Sequence, residues 1–148
     1  MNIFDCFMYF DEDLLLDIRL NSLDNYVKKF VITEATYTHN GNKKKLNFDI
    51  NKFKKFKDKI SYIVVEDHPS EIFQVKESDD LNTKNSKYIL NAAKRENFQR
   101  DCIKRGLNNV DSNDIILISD LDEIPNLEQN NIKNINNKLI FFKQKLFY

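Results

Sequence analysis

The sequence contains little glycine and cysteine and has no excess of charge of either sign. Its two glycines, Gly41 and Gly106, cannot build the glycine-rich loop with which many proteins hold phosphate through backbone N–H groups. Cys6 and Cys102 have neither zinc-site spacing nor the density of a disulfide scaffold, so we predict two buried core thiols. Basic and acidic residues both number 23, so the charge gives no reason to expect a nucleic-acid partner.

Long apolar runs are also absent. No segment approaches the roughly 20 apolar residues of a membrane span, and the N-terminus lacks the basic and apolar regions of a signal peptide. We therefore expect a cytoplasmic protein. The chain has 148 residues, of which 41% are hydrophobic, with 12 Phe and 6 Tyr. This is enough for one packed domain covering residues 1–148.

Apolar and β-branched runs alternate with helical patterns along the chain. Strands are predicted at residues 3–10, 27–35, 60–66, 115–118 and 139–142. Helices are predicted after the first strand, briefly at 52–57, and at 87–105, which is the strongest helical pattern and ends before Gly106; residues 70–86 are predicted to be a loop. This order indicates the α/β class, with a mostly parallel, Rossmann-like sheet flanked by helices.

Particular side chains are assigned to the core or to the surface by their spacing. In the first helix, Leu14, Leu15, Ile18 and Leu23 form the predicted apolar stripe, and Asp17 and Arg19 are expected to face outward. In the long helix, the apolar positions near helical spacing are Ile89, Ala92, Ala93, Phe98 and Ile103. The run Ile115 to Ile118 is predicted to be the most buried strand of the sheet.

An acidic turn follows that strand. Asp120, Asp122 and Glu123 place three carboxylates within four residues, around Leu121. Ligands of open α/β sheets bind outside the carboxyl ends of the strands. Carboxylates this close repel one another unless a divalent cation neutralises them, and phosphate oxygens and water would complete its coordination. The simpler alternative is an acidic turn that caps a helix, and the pattern alone leaves both open.

Other polar residues are weaker candidates for a ligand-binding site. Glu34 ends the second strand, and His39 lies in the loop that follows it. Arg95 and Arg100 lie near the middle of the long helix, where they could meet phosphates or the strand-end carboxylates. Each also has an acidic or polar residue four positions away, so an exposed face of intrahelical pairs is the alternative. His68 is expected to be a surface residue.

Six segments together resemble glycosyltransferase family 17, which includes the β-1,4-N-acetylglucosaminyltransferase that adds bisecting GlcNAc to N-glycans. The segments are residues 3–7, 17–20, 31–35, 38–41, 99–100 and 118–125. The last of them, Ser-Asp-Leu-Asp-Glu-Ile-Pro after Ile118, is the most specific. The resemblance implies a GT-A fold and an inverting transfer of GlcNAc from UDP-GlcNAc to a glycan hydroxyl. It also implies a manganese or magnesium ion.

The resemblance also implies roles for individual residues. Asp120 and Asp122 match the motif that holds the metal and the diphosphate, with Leu121 between them and Glu123 supporting the turn. By position, Glu34 becomes a candidate for the nucleoside, and Arg95 and Arg100 become candidates for the phosphate or sugar side. Inverting transfer also needs a general base. No residue of the sequence is assigned to that role.

The sequence departs from the family in lacking the membrane anchor and stem of the animal enzymes and in ending, at Tyr148, before the second half of the family's pattern. We therefore expect a truncated domain whose last strand, from Leu139, leaves an exposed edge for self-association. Two other functions stay open. One is a non-catalytic nucleotide-sugar-binding module, and the other is a metal-dependent phosphohydrolase or nucleotidyltransferase that uses the same acidic turn.

Overall fold

A computed structural model describes residues 1–130, 132 and 139–143. In chain order, its strands are β1 (Ile3–Met8), β2 (Lys29–Ala35), β3 (Ile60–Val65) and β4 (Ile115–Ile118). Its helices are α1 (Asp13–Leu23) and α2 (Leu81–Asp101), and short 3₁₀ helices span Lys54–Lys59 and Cys102–Gly106. The strands form one parallel sheet in the order β3-β2-β1-β4, and the predicted α/β class with a mostly parallel sheet is confirmed.

Side chains of β1 alternate between two covered faces, which is why its sequence is apolar almost throughout. Ile3 and Phe7 pack in the larger core with α1, whereas Phe4 and Cys6 pack on the opposite face with Ile103. Cys6 is fully buried and Cys102 is 2% exposed, as expected for core thiols, and burial raises the pKa of the Cys6 thiol to about 12.

The predicted orientation of α1 is wrong for Arg19 and for three of the four apolar positions, whereas Leu23 is buried and Asp17 is exposed as predicted. The buried face of α1 consists of Leu16, Arg19, Leu20 and Leu23, whereas Leu14, Leu15 and Ile18 are exposed. Apolar residues occur on several sides of this helix, so their spacing did not define one face. The buried residue Asp5 on β1 decides the orientation, because it faces α1 and requires a cationic partner.

The prediction that β4 is the most buried strand of the sheet is also wrong, because only Leu117 of its four residues is buried. Among the strands of the described residues, β4 lies at an edge of the sheet and pairs with β1, and Ile118 is 56% exposed. A short β-branched run has the same composition at an edge as at the centre, so only the strand order distinguishes the two. The strand predicted at 139–142 is not observed either, since residues 139–143 adopt no regular secondary structure. Its continuation at 144–148 lies outside the described residues.

The long helix begins earlier than predicted and buries different residues. Asp80 caps α2 by accepting a hydrogen bond from the Thr83 N–H at 2.9 Å, so the last part of the predicted loop at 70–86 is helical. Ile89 is 70% exposed, and the buried positions of α2 are Asn91 and Gln99. Residues 102–106 tighten into the 3₁₀ helix and do not continue α2. Within the described part of the chain, no helix is both long and apolar enough to cross a membrane.

Candidate functional site

A cleft of about 520 Å³ lies beyond the carboxyl ends of β1 and β4. From β1 the chain runs outward through β2 to β3, and it then returns to place β4 on the other side of β1. The strand order therefore reverses between β1 and β4, and this switch point is where open α/β sheets bind ligands. The volume is within the usual range for small-molecule sites, about 300–1,000 Å³. Its lining is Met8, Tyr9, Phe10, Glu12, Leu15, His39, Glu96, Gln99, Asp120, Leu121 and Asp122.

The acidic turn after β4 has alternating exposure. Leu121 is 6% exposed and packs in the main core, whereas Asp120 and Asp122 on either side of it are exposed. The buried leucine thus anchors the turn and leaves both aspartates at the cleft. The Glu123 carboxylate accepts the Asp120 backbone N–H at 3.1 Å, which closes the turn on itself.

Arg19 lies beneath this turn and is fully buried. It makes a bidentate ion pair with Asp5, through Nε and Nη2 at 2.8 Å each. Nη1 donates to the carbonyl oxygens of Asp120 at 2.7 Å, Leu121 at 3.1 Å and Glu123 at 3.2 Å. Nη2 also donates to Ser119 Oγ at 2.7 Å. The guanidinium therefore connects the first strand to the backbone of the acidic turn.

Four carboxylates line the cleft, and Arg100 contacts two of them. Its Nη2 lies 3.0 Å from Asp120 Oδ1 and 3.1 Å from Glu96 Oε1. Both expectations for this arginine thus describe part of its environment, because it pairs within its helix and also meets a strand-end carboxylate. The other two carboxylates belong to Glu12 and Asp122. The cleft is strongly acidic, which favours a cation and disfavours an unaccompanied diphosphate.

Glu34, a candidate for the nucleoside by its position at the end of β2, is held by contacts within the chain. It is fully buried, and its carboxylate accepts hydrogen bonds from the backbone N–H groups of Asn47 at 2.8 Å and Phe48 at 3.1 Å. Tyr62 Oη donates to it at 2.7 Å, and Lys44 forms an ion pair with it. These four partners fasten the loop after β2 to the sheet, and Glu34 is not among the residues that line the cleft.

Arg95 also holds this loop. Its Nη1 donates to the His39 carbonyl oxygen at 3.0 Å, and its guanidinium packs against Gly41. Gly41 has a φ of 91°, and a Cβ there would lie 2.8 Å from Arg95 Cζ, so glycine is needed both for the backbone conformation and for the close contact. Arg95 thereby positions His39, which lines the cleft.

The first residues after β1 complete the cleft wall. Tyr9 Oη donates to Asp13 Oδ1 at 2.7 Å, and Lys52 pairs with the same carboxylate. Burial, and then the hydrogen bond to Asp13, raises the pKa of Tyr9 well above its usual value of 10.0, so the phenol stays neutral. The hydrogen bond from Lys52, and then that from Tyr9, lowers the pKa of Asp13.

Sequence reasoning placed the acidic turn at this cleft and missed most of the opposite wall. Met8 is the last residue of β1, and Tyr9, Phe10 and Glu12 follow it as directly as the acidic turn follows β4. The argument from strand ends, applied to the strand predicted at 3–10, would have pointed to Glu12, whereas Met8, Tyr9 and Phe10 were predicted to lie within that strand. Gln99 had no signal from strand ends and entered through the family resemblance, which includes residues 99–100. Its side chain is nearly buried and donates to the Thr33 carbonyl oxygen at 3.1 Å, an arrangement that depends on how α2 crosses the sheet.

The fold and cleft define a parallel α/β domain with an acidic cleft at its topological switch point. The family model of glycosyltransferase family 17 matches residues 1–139, and the chain belongs to this family. No curated protein and no solved structure gave a significant match. Family membership supports a glycosyltransferase function, with a sugar donor and an acceptor as partners.

Proposed function

We propose that the cleft binds a nucleotide-sugar donor, with UDP-GlcNAc as the first choice, and that the enzyme passes the sugar to a glycan hydroxyl with inversion. The proposal is supported by one observation above all: the acidic turn presents Asp120 and Asp122 at the topological switch point of a family 17 sheet. The strand order β3-β2-β1-β4 also matches the first four strands of the Rossmann order 3-2-1-4-5-6, as expected for the Rossmann-like sheet of a GT-A domain.

The side chains at the turn suit a divalent metal ion. Asp120 and Asp122 supply hard oxygen donors and are exposed at the cleft, so they would hold Mn²⁺ or Mg²⁺ without rearrangement of the core. Among residues 1–130, 132 and 139–143 there is no group of three or more potential metal-ligating side chains. Two carboxylates are sufficient where diphosphate oxygens complete the coordination. A bound ion would offset the charge that develops on the departing diphosphate.

The chain's own residues prepare the site before any ligand arrives. Arg19 fixes the turn from below, Glu123 closes it, and Arg95 holds His39 at the cleft margin. Arg100 neutralises part of the acidic wall and lies close enough to Asp120 to contact phosphate oxygens beside it. We assign no general base.

Calorimetric titration of UDP-GlcNAc tests the proposal, with and without manganese, on wild type, Asp122→Ala and Glu128→Ala. Asp122 lines the cleft, whereas Glu128 is an exposed acid a few residues further on, so both variants lose one negative charge. We expect manganese-dependent binding that Asp122→Ala weakens at least tenfold and Glu128→Ala leaves unchanged. No binding by the wild type, or equal losses in both variants, would contradict the proposal.

Product analysis distinguishes the remaining functions. A glycosyltransferase given donor and acceptor releases UDP, whereas a phosphohydrolase or nucleotidyltransferase releases phosphate or pyrophosphate. A non-catalytic module binds the donor and releases nothing. The acidic turn alone is compatible with all three, and family membership favours the first.

A further inference from the structure

Arg19 makes six hydrogen bonds, and four of them reach the segment between Ser119 and Glu123. We infer that Arg19, held by Asp5, is a positioning residue that sets the conformation of the acidic turn and thereby its affinity for a metal–nucleotide complex. The second half of this inference rests on the proposed function. The first half concerns the turn alone.

The geometry indicates that Arg19 fixes the conformation of the turn and does not merely fill space in the core. Asp5 Oδ1 and Oδ2 fix the plane of the guanidinium, and Arg19 Cζ lies 4.6 Å from the centre of the Phe7 ring, which supports one face of that plane. Nη1 then points at three carbonyl oxygens of one turn. Only a planar donor with several fixed N–H directions can satisfy carboxylate and carbonyls together.

The backbone contacts determine where the aspartate side chains lie. The carbonyl groups of Asp120 and Leu121 are both directed at Arg19, and the Leu121 side chain packs in the core. With these groups fixed inward, the side chains of Asp120 and Asp122 are left at the cleft. A turn without this anchor would sample other conformations, and the two carboxylates would have to be ordered when the ligand binds.

A double substitution distinguishes the positioning role of Arg19 from a general effect on the stability of the fold. Breaking a buried ion pair on one side leaves an unpaired charge, whereas replacing both partners with apolar residues is often neutral or stabilising. Asp5→Leu/Arg19→Met is therefore expected to fold, with a melting temperature lowered only by the loss of the Arg19 hydrogen bonds to the turn. Leu23→Ala is the control, because Leu23 is buried at the far end of the same helix and its truncation lowers stability without removing a hydrogen bond to the turn.

Two readouts are measured on each protein. The first is NMR hydrogen exchange, without ligand, of the Glu123 and Ile124 amides, which donate to the carbonyl oxygens of Asp120 and Asp122 at 3.1 Å. The second is calorimetric titration of manganese with UDP. We expect the double variant to exchange these amides at least tenfold faster and to bind at least tenfold more weakly. Leu23→Ala should change neither.

The outcomes distinguish this inference from the proposed function. If the wild type does not bind manganese with UDP but exchange in the turn accelerates, the proposed function fails and the positioning role stands. Unchanged exchange in the folded double variant overturns the positioning role. Should the double variant not fold, Ser119→Ala provides the test, because it removes one contact to Arg19 and one to the Glu123 carbonyl oxygen. Exchange in the turn should again accelerate, and an unchanged rate would overturn the inference.

Discussion

Glu34→Gln tests whether the carboxylate at the end of β2 is a structural group or a ligand-binding group. In the structure, Oε1 accepts hydrogen bonds from Lys44 and the Asn47 N–H, and Oε2 accepts from the Phe48 N–H and Tyr62 Oη. Glutamine has nearly the same shape, but its NH₂ group must face one of these pairs of donors. In either orientation, at least one backbone N–H loses its acceptor and Lys44 loses its counter-ion.

The size of the effect follows from burial. Glu34 is completely buried and the Lys44 side chain is 10% exposed, so the substitution breaks a buried ion pair on one side. Such changes cost about 3–5 kcal/mol. For a chain near 150 residues, each kcal/mol lowers the melting temperature by about 2–4 °C, so we expect a decrease of roughly 6–20 °C. Tyr62→Phe removes one donor and should cost only about 1–3 kcal/mol.

Thermal denaturation followed by circular dichroism measures both variants, and titration of UDP-GlcNAc at low temperature shows whether the folded protein still binds. We expect a large loss of stability in Glu34→Gln, and donor affinity close to that of wild type where the variant is folded. A variant that melts at the wild-type temperature but no longer binds the donor would refute this reasoning. It would restore Glu34 as a nucleoside-binding residue.

Three further predictions concern other contacts. Arg100→Ala removes the cation beside Asp120 and should tighten manganese binding in the absence of nucleotide about two- to fivefold, which corresponds to the energy of an exposed ion pair. Weaker manganese binding, measured by calorimetry, would contradict this prediction. Asp13→Asn should lower the melting temperature near neutral pH, and this loss should vanish in acid. The pKa of Asp13 in the folded protein is lowered from 3.8, so its carboxylate contributes stability above pH 3.8 and loses that contribution as the pH falls through the lowered pKa. A loss that is the same at all pH values would contradict that prediction. Gly106→Ala places a Cβ 2.5 Å from Val31 Cγ1 and should lower the free energy of unfolding, measured with urea, by about 1–3 kcal/mol. An unchanged urea midpoint would contradict this prediction and show that the site relaxes freely.

Much of the fold could be predicted from local pattern. β1, β2 and β3 and the acidic turn were placed within a few residues, because their apolar runs and their polar ends are features of consecutive residues. The edge position of β4 could not be predicted in this way. Strand order is set by contacts between distant segments, such as the pairing of Cys6 with Ile118, and composition does not encode it.

The burial of Arg19 and of Glu34 was not predicted, for a common reason. Arg19 was expected at the surface and Glu34 near a ligand, since charged residues are ordinarily solvated or functional. Both are buried because each satisfies partners that come from elsewhere in the chain. The interruption of the first strand by Asp5 was the one available signal, because a carboxylate in a buried strand requires a cationic partner nearby.

The self-association predicted for the C-terminal segment remains a prediction. Leu139 is 68% exposed and Phe141 is 86% exposed, so apolar surface is present there without the predicted strand. Size-exclusion chromatography over a range of concentrations measures it. A monomer at every concentration would count against it.

The central claim is that the acidic turn holds a metal–nucleotide donor, and anomalous diffraction at the manganese edge from crystals grown with manganese and UDP tests it most directly. The account predicts an anomalous peak within coordination distance of Asp120 or Asp122, next to density for the diphosphate in the cleft beyond β1 and β4. A peak elsewhere on the molecule, or nucleotide density outside this cleft, would contradict it.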